Sequence, residues 1–266
     1  MRFNIFTVVI FLFISVVAAG QSFIHAKTVS PVQSVKEFID QSLIYPPDDL
    51  KARNEGEVVY DFIVDKSGKT SGFELIKGMS DEADKEALRI IRKILWLPAQ
   101  KNGNPVESTQ QFSISFNIKR YQRLLKNRPT AYVQPITFVT DTSGKIFDVD
   151  DLDSHPIPLM QGKEIKISEY ILKEMKYPES AKSLGIQGTV KLGLIIENDG
   201  ITSNIYVINS VGGGCDNEAI RILMGIRWIP GIKDQQLVRT KSFFEVTFKI
   251  NENKQKDIPN RQNAGI

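Results

Sequence analysis

Apolar residues at Val35, Phe38, Ile39 and Leu43 follow the three- and four-residue spacing of one helix face. Tyr45-Pro46 ends that run, because a residue preceding proline is pushed out of the helical region. The period then changes to two: Val58, Tyr60, Phe62 and Val64 alternate with Val59, Asp61 and Ile63, which predicts a strand. Asp65-Lys66-Ser67-Gly68 is a turn sequence between apolar runs, so the strand is expected to fold back as a hairpin through Phe73–Ile76. Ala83, Ala87, Ile90, Ile91 and Ile94 share a second helical face, with Ser80 as its N-cap and Trp96-Leu97-Pro98 as its stop. Val106 to Ile118, rich in β-branched and aromatic residues, closes the unit as a long strand.

The whole pattern then returns. Tyr177-Pro178 stands 132 positions beyond Tyr45-Pro46, and one ungapped shift carries Gly56 onto Gly188, Gly68 onto Gly200 and Glu86-Ala87 onto Glu218-Ala219. Trp96, Pro98, Phe112 and Phe116 land on Trp228, Pro230, Phe244 and Phe248. The second copy adds a short helix, Glu179 to Leu184, stopped by Gly185, and Asp216 as the N-cap of its later helix. The expected fold class is α+β: two tandem copies, residues 34–118 and 166–250, each with helices packed on a three-stranded antiparallel sheet. Residues 119–165 connect them. Lys119 to Arg128 reads as a solvated basic connector. Ala131–Val139 and Ile146–Val149, on either side of Asp141-Thr142-Ser143-Gly144, read as an extra hairpin linking the copies rigidly. Residues 251–266 read as a disordered tail.

Arg2, the apolar run Ile5–Val17 and the small residues Ala18-Ala19-Gly20 have the order of a secretory signal, residues 1–20. The alternative is an uncleaved anchor; Phe3 to Ala19 as a helix reaches about 25 Å, against roughly 30 Å of bilayer hydrocarbon. The composition, 41% hydrophobic and 24% charged, is that of a globular chain, and a net charge of +3 gives no argument for nucleic acid. One cysteine, Cys215, excludes an internal disulfide and reads as a small core residue. Two histidines, His25 and His155, leave little for a metal site or a catalytic triad. The acidic cluster Asp148, Asp150, Asp151 and Asp153 lacks the glycine and glutamate of a calcium loop, and Gly212-Gly213-Gly214 lacks the lysine of a phosphate loop. No enzyme and no cofactor is expected. Trp96 and Trp228 are expected in the core.

The second copy contains Tyr177-Pro178 through Ala181, Gly185-Ile186-Gln187-Gly188-Thr189-Val190, Asn198-Asp199-Gly200, Asp216-Asn217-Glu218-Ala219, Trp228-Ile229-Pro230-Gly231 and the strand Phe244–Phe248. The first contains Tyr45-Pro46, Gly56, Asp65-Lys66-Ser67-Gly68-Lys69, Glu86-Ala87 and Trp96-Leu97-Pro98. In these residues the chain resembles the TonB C-terminal domain family, twice over. It departs from that pattern at Ala52-Arg53-Asn54-Glu55 and at Cys215. The resemblance implies a periplasmic protein that binds the N-terminal segment of an outer-membrane transporter by adding it as a strand to an open sheet edge. It implies that the edge is the last strand: Val238, Thr240, Ser242, Phe244, Val246 and Phe248 in copy two, and Val106, Phe112, Ile114 and Phe116 in copy one. Two tethered sites would gain avidity if both are reached at once. Other partners it implies are inner-membrane energising proteins, for an anchored form, or a second copy of the chain. A complete energy transducer would need a long spacer, and Gln21 to Ser34 extends only roughly 45 Å. Accessory binding is therefore the first expectation. A scaffolding protein of the envelope, or an anchored transducer if the signal is kept, are the alternatives.

Overall fold

The computed structural model describes residues 22–126, 128, 138–160 and 163–250. Copy one begins with two short strands, β1 (Phe23–Ile24) and β2 (Lys27–Thr28), then α1 (Val32–Ser42) and α2 (Pro47–Ala52). The hairpin β3 (Gly56–Val64) and β4 (Thr70–Lys77) leads into α3 (Asp81–Ile91). After β5 (Trp96–Leu97), a small hairpin, β6 (Ala99–Lys101) and β7 (Asn104–Val106), turns into β8 (Ser108–Phe116) and α4 (Ile118–Leu125). The connector supplies β9 (Val139–Thr140), β10 (Ile146–Asp148), a 3-10 turn at Val149–Asp151, β11 (Ile157–Met160) and β12 (Lys163–Glu164). Copy two repeats the plan as α5 (Ile167–Glu174), α6 (Glu179–Ser183), β13 (Gly188–Ile196), β14 (Thr202–Asn209), α7 (Cys215–Met224), β15 (Arg227–Ile229), β16 (Gly231–Lys233) and β17 (Gln236–Phe248).

Each copy is an antiparallel sheet, ordered β4-β3-β8 and β14-β13-β17, with helices on one face. The periodicities do their predicted work: Val58, Tyr60, Phe62 and Val64 are buried against Ala83, Ala87, Ile90 and Ile91 of α3. The 132-residue repeat extends to irregularities of register. β3 and β4 slip between Val59 and Tyr60 and between Asp61 and Ile63, and β13 and β14 slip between Lys191 and Leu192 and between Gly193 and Ile195. Both tryptophans are buried, as expected. The backbone beside each is a reason for glycine in the hairpin turn. A Cβ on Gly68 or Gly200, both at positive φ, would stand 2.2 Å and 2.1 Å from the carbonyl oxygens of Trp96 and Trp228.

Several expectations need correction. Ser80 caps α3, accepting from the Ala83 N–H at 3.2 Å, but Asp216 does not cap α7: Gly214 holds that place, and the Asp216 carboxylate accepts from the Val211 N–H at 2.9 Å. The final strand of copy one begins at Ser108 and ends at Phe116, since Val106 belongs to the β6–β7 hairpin and Ile118 opens α4. Lys119–Arg128 is no featureless connector. Asn117 caps α4 through the Arg120 N–H at 2.8 Å, Tyr121 packs 5.4 Å from the Tyr45 ring, and Arg128 donates to the carbonyls of Asp40 and Leu43. Tyr121, with Ile118 packed on the core and Arg120 paired to Asp40 at 2.7 Å, docks a helix whose sequence is otherwise polar.

The turn at Asp141–Gly144 does not join a hairpin. β9 and β10 both lie parallel to β17, one beside Gln236–Leu237 and the other beside Arg239–Lys241, so the two make successive segments along one neighbour. An Asx turn on Asp141, whose carboxylate accepts from the Ser143 N–H at 2.9 Å, carries the chain from one to the next. The connector does contain a hairpin, β11 with β12, further along, and β11 pairs with β15 of copy two. Residues 1–20, 131–137 and 251–266, on which the signal, the start of the expected hairpin and the tail fall, lie outside the described residues.

The copies are packed together. α1 of copy one lies against β14 and α7 of copy two, and Gln41 donates to the Met224 carbonyl at 3.2 Å. Below it, Asn204 accepts from the Leu95 N–H at 2.7 Å and donates to the Lys93 carbonyl at 2.8 Å. The same carbonyl accepts from Arg239, whose guanidinium forks onto the fully buried Glu197 at 2.9 Å on both oxygens. Lys93 completes the group with its Nζ 2.9 Å from Asp199.

Candidate peptide-binding edges

Strand addition needs a strand whose outer N–H and C=O groups have no neighbour. In copy one β8 meets that requirement: it pairs with β3 alone among the described residues. Consecutive residues Gln111–Ser115 line a groove of about 400 Å³, closed opposite by Val35 and Ile39 of α1 and by Tyr121 and Leu124 of α4. Side chains of successive strand residues point to opposite faces, so five in a row line one groove only where it runs along the strand's edge. The groove is apolar at its sides. Arg120, ion-paired to Asp40 at 2.7 Å, also lines it.

In copy two the corresponding margin is divided. Gln236–Lys241 of β17 carries β9 and β10, whereas Ser242–Phe248 pairs only with β13 among the described residues. A second groove, of about 660 Å³, opens where β10 stops and is lined by Lys241–Phe244, Trp228 and His155. The aspartates of the 3-10 turn, Asp150 and Asp151, line its far wall; no group of residues able to hold a metal occurs among the described residues.

The residues expected at these edges fall into two kinds. Ile114, Phe116, Val238, Thr240, Ser242, Val246 and Phe248 are buried, with side chains turned into the domains; all but Val238 and Thr240, which lie in the stretch already flanked by β9 and β10, would meet an added strand through the backbone. Phe112 and Phe244 are partly buried and lie against the tryptophans, at 6.1 Å from Trp96 and 5.4 Å from Trp228. Val106 sits on β7, away from the β8 edge. The exposed alternates, Ser113, Ser115 and Phe243, were not singled out by pattern, although period-two alternation with the buried set marks them.

The repeated polar motifs build the scaffold beneath. The Tyr45 hydroxyl donates to the Asn54 carbonyl, and Tyr177 does the same to Ile186 at 2.7 Å, tying the tyrosine-proline turn to the start of the central strand. Burial, then the nearby charges of Glu55 and Asp49, push the Tyr45 phenol up to about 12, so it stays a donor. Glu86 accepts from the Ile44 N–H at 2.7 Å and pairs with Arg89; Glu218 accepts from the Lys176 N–H at 2.6 Å and pairs with Arg221. Cys215 is wholly buried, and burial pushes its thiol up.

The family model described as "Gram-negative bacterial TonB protein C-terminal" matches residues 41–118 and 173–250, together more than half of the chain. Both matched segments repeat at the interval seen between the tyrosine-proline motifs. A search of curated proteins returned no match. Among solved structures, the solution structure of the Helicobacter pylori TonB C-terminal domain matches at 17% identity, covering 33% of this chain and 91% of that one, with a TM-score of 0.25.

Proposed function

We propose a function from the fact that this chain belongs to the TonB C-terminal family, which gives it a TonB-like role in envelope transport. It acts in the periplasm by capturing an extended N-terminal segment of an outer-membrane transporter as an added strand, and it carries out no catalysis. The observation that supports this most is the free margin of β8 with its apolar groove. Five or six new backbone hydrogen bonds at about 0.5–1.5 kcal/mol each, less the ordering of the peptide, correspond to roughly micromolar affinity. Copy one is thus the readier site; at copy two an incoming strand meets an open edge only from Ser242 onward.

Titration of ¹⁵N-labelled protein with transporter N-terminal peptides tests this reading. Amide shifts at Gln111–Ser115 are expected, with weaker ones at Ser242–Phe248. A spectrum that stays unmoved at both edges would leave the scaffolding alternative standing. No helix among the described residues is long and apolar enough to cross a membrane. Whether the N-terminal run anchors the protein is decided by the mass of the mature chain from its host: a start near Gln21 removes the anchored-transducer reading.

A further inference from the structure

Where the copies meet, a cleft of roughly 1590 Å³ is lined by seven basic side chains and two acidic ones. Four of the seven are committed: Lys85 to Glu82 at 2.9 Å, Arg89 to Glu86 at 2.7 Å, Lys93 to Asp199 at 2.9 Å and Arg239 to Glu197 at 2.9 Å. The other three, Arg92, Arg128 and Arg227, have no carboxylate within ion-pair distance among the described residues. Arg92 is exposed and lies over the Phe73 ring, and Arg128 donates to the backbone carbonyls of Asp40 and Leu43 and lies over the Tyr121 ring. Arg227 is 6% exposed, and its Nε is buried with no hydrogen-bond partner among the described residues.

A guanidinium buried without a counter-charge is costly to desolvate. Burial pushes both Arg227 and Arg128 below their ordinary range; the charge of Arg128 adds to the effect on Arg227, and Asp199 works against it. The repeat shows that the fold itself does not require this charge, since the position equivalent to Arg227 in copy one is Leu95. Two further orphans face the same space. The Ser42 hydroxyl, on a residue 3% exposed, and the Gln41 amide oxygen are buried without partners, so this one cleft holds three of the six such atoms found among the described residues. Buried polar atoms are normally satisfied, and three orphans lining one cavity suit a polar occupant there.

We propose that the cleft between the copies binds a phosphate-bearing ligand on Arg227, Arg128 and Arg92. A carboxylate offers two oxygens, whereas a phosphate monoester offers three and close to two charges, which suits three guanidinia and the Ser42 hydroxyl. The cleft is far larger than one phosphate group, so the ligand carries a further moiety. It is either a soluble phosphorylated molecule or the headgroup of an anionic lipid.

Calorimetry with inorganic pyrophosphate, together with the arginine Nε–H resonances of the labelled full chain, tests the site. Saturable binding that shifts the Arg227 signal is expected, weakened about tenfold or more by Arg227→Leu and by Arg92→Gln. The second variant alters an exposed side chain and keeps the test valid if the first fails to fold. Lys101→Gln, away from the cleft, should bind as the parent does. Co-sedimentation with phosphatidylglycerol–phosphatidylcholine vesicles, but not with pure phosphatidylcholine, and lost in Arg92→Gln, would assign the site to a headgroup. Pyrophosphate binding without that sedimentation assigns it to a soluble ligand. Failure of both probes, or binding that Arg227→Leu and Arg92→Gln leave unchanged, overturns the proposal.

Discussion

Glu218 shows how much of the repeated sequence serves the frame. Its side chain is 10% exposed; burial disfavours its charge, but the hydrogen bonds from Arg221 and from the Lys176 N–H outweigh this and hold the carboxyl below the usual carboxylate range. Because the folded value lies below the unfolded one, the carboxylate stabilises the fold above the ordinary glutamate range. That contribution fades as pH falls through the depressed value. Glu218→Gln should therefore cost roughly 1–3 kcal/mol at neutral pH, with the gap from the parent narrowing below about pH 4.5, as read by urea denaturation across pH. Gly200→Ala is expected to be harsher than a usual surface change. It adds a Cβ at 2.1 Å from the Trp228 carbonyl in a backbone with φ +76°, and a loss of about 1–3 kcal/mol should appear in the same assay.

Among the elements, the strands were the most legible and their neighbours the least. Alternation placed β3 and β13, and the turn sequences placed both main hairpins, because each signal is local to a few residues. What local pattern does not carry is the choice of partner. Val139–Thr140 and Ile146–Asp148 have strand composition and a good turn between them, and they pair with β17 instead of each other. α4 was missed for a similar reason: its docking partners, Tyr45 for Tyr121 and Asp40 for Arg120, stand seventy-odd to eighty positions away in the chain. The edges themselves followed from order and resemblance; the buried orientation of Ile114, Val246 and Phe248 needed the fold. Phe147→Pro, which prevents β10 from pairing, should raise amide exchange at Arg239–Lys241 and leave β8 unchanged. Unaltered exchange at Arg239–Lys241 would mean that β10 does not protect this margin.

At the scale of the molecule, the copies meet through charge as well as apolar surface. Glu197 is fully buried and depends on Arg239 and Lys93, one from each copy. Arg239→Leu leaves that carboxylate short of its principal partner and should cost about 3–5 kcal/mol. Calorimetric unfolding should then change from one transition to two, as the copies melt apart. A single transition at an unchanged temperature would show that the interface draws its strength elsewhere. None of this was visible in the sequence, which gives two equal units but not the surface by which they meet.

The strands that run beside Gln236–Lys241 make the duplicated halves unequal. A chain with two identical vacancies would take up two equivalents of peptide and cross-link neighbouring transporters. With one seat half filled from within, the first equivalent should bind at β8 and the second only weakly, along Ser242–Phe248, so the isotherm should show two unequal steps; full seating of the second guest requires the resident segment to leave.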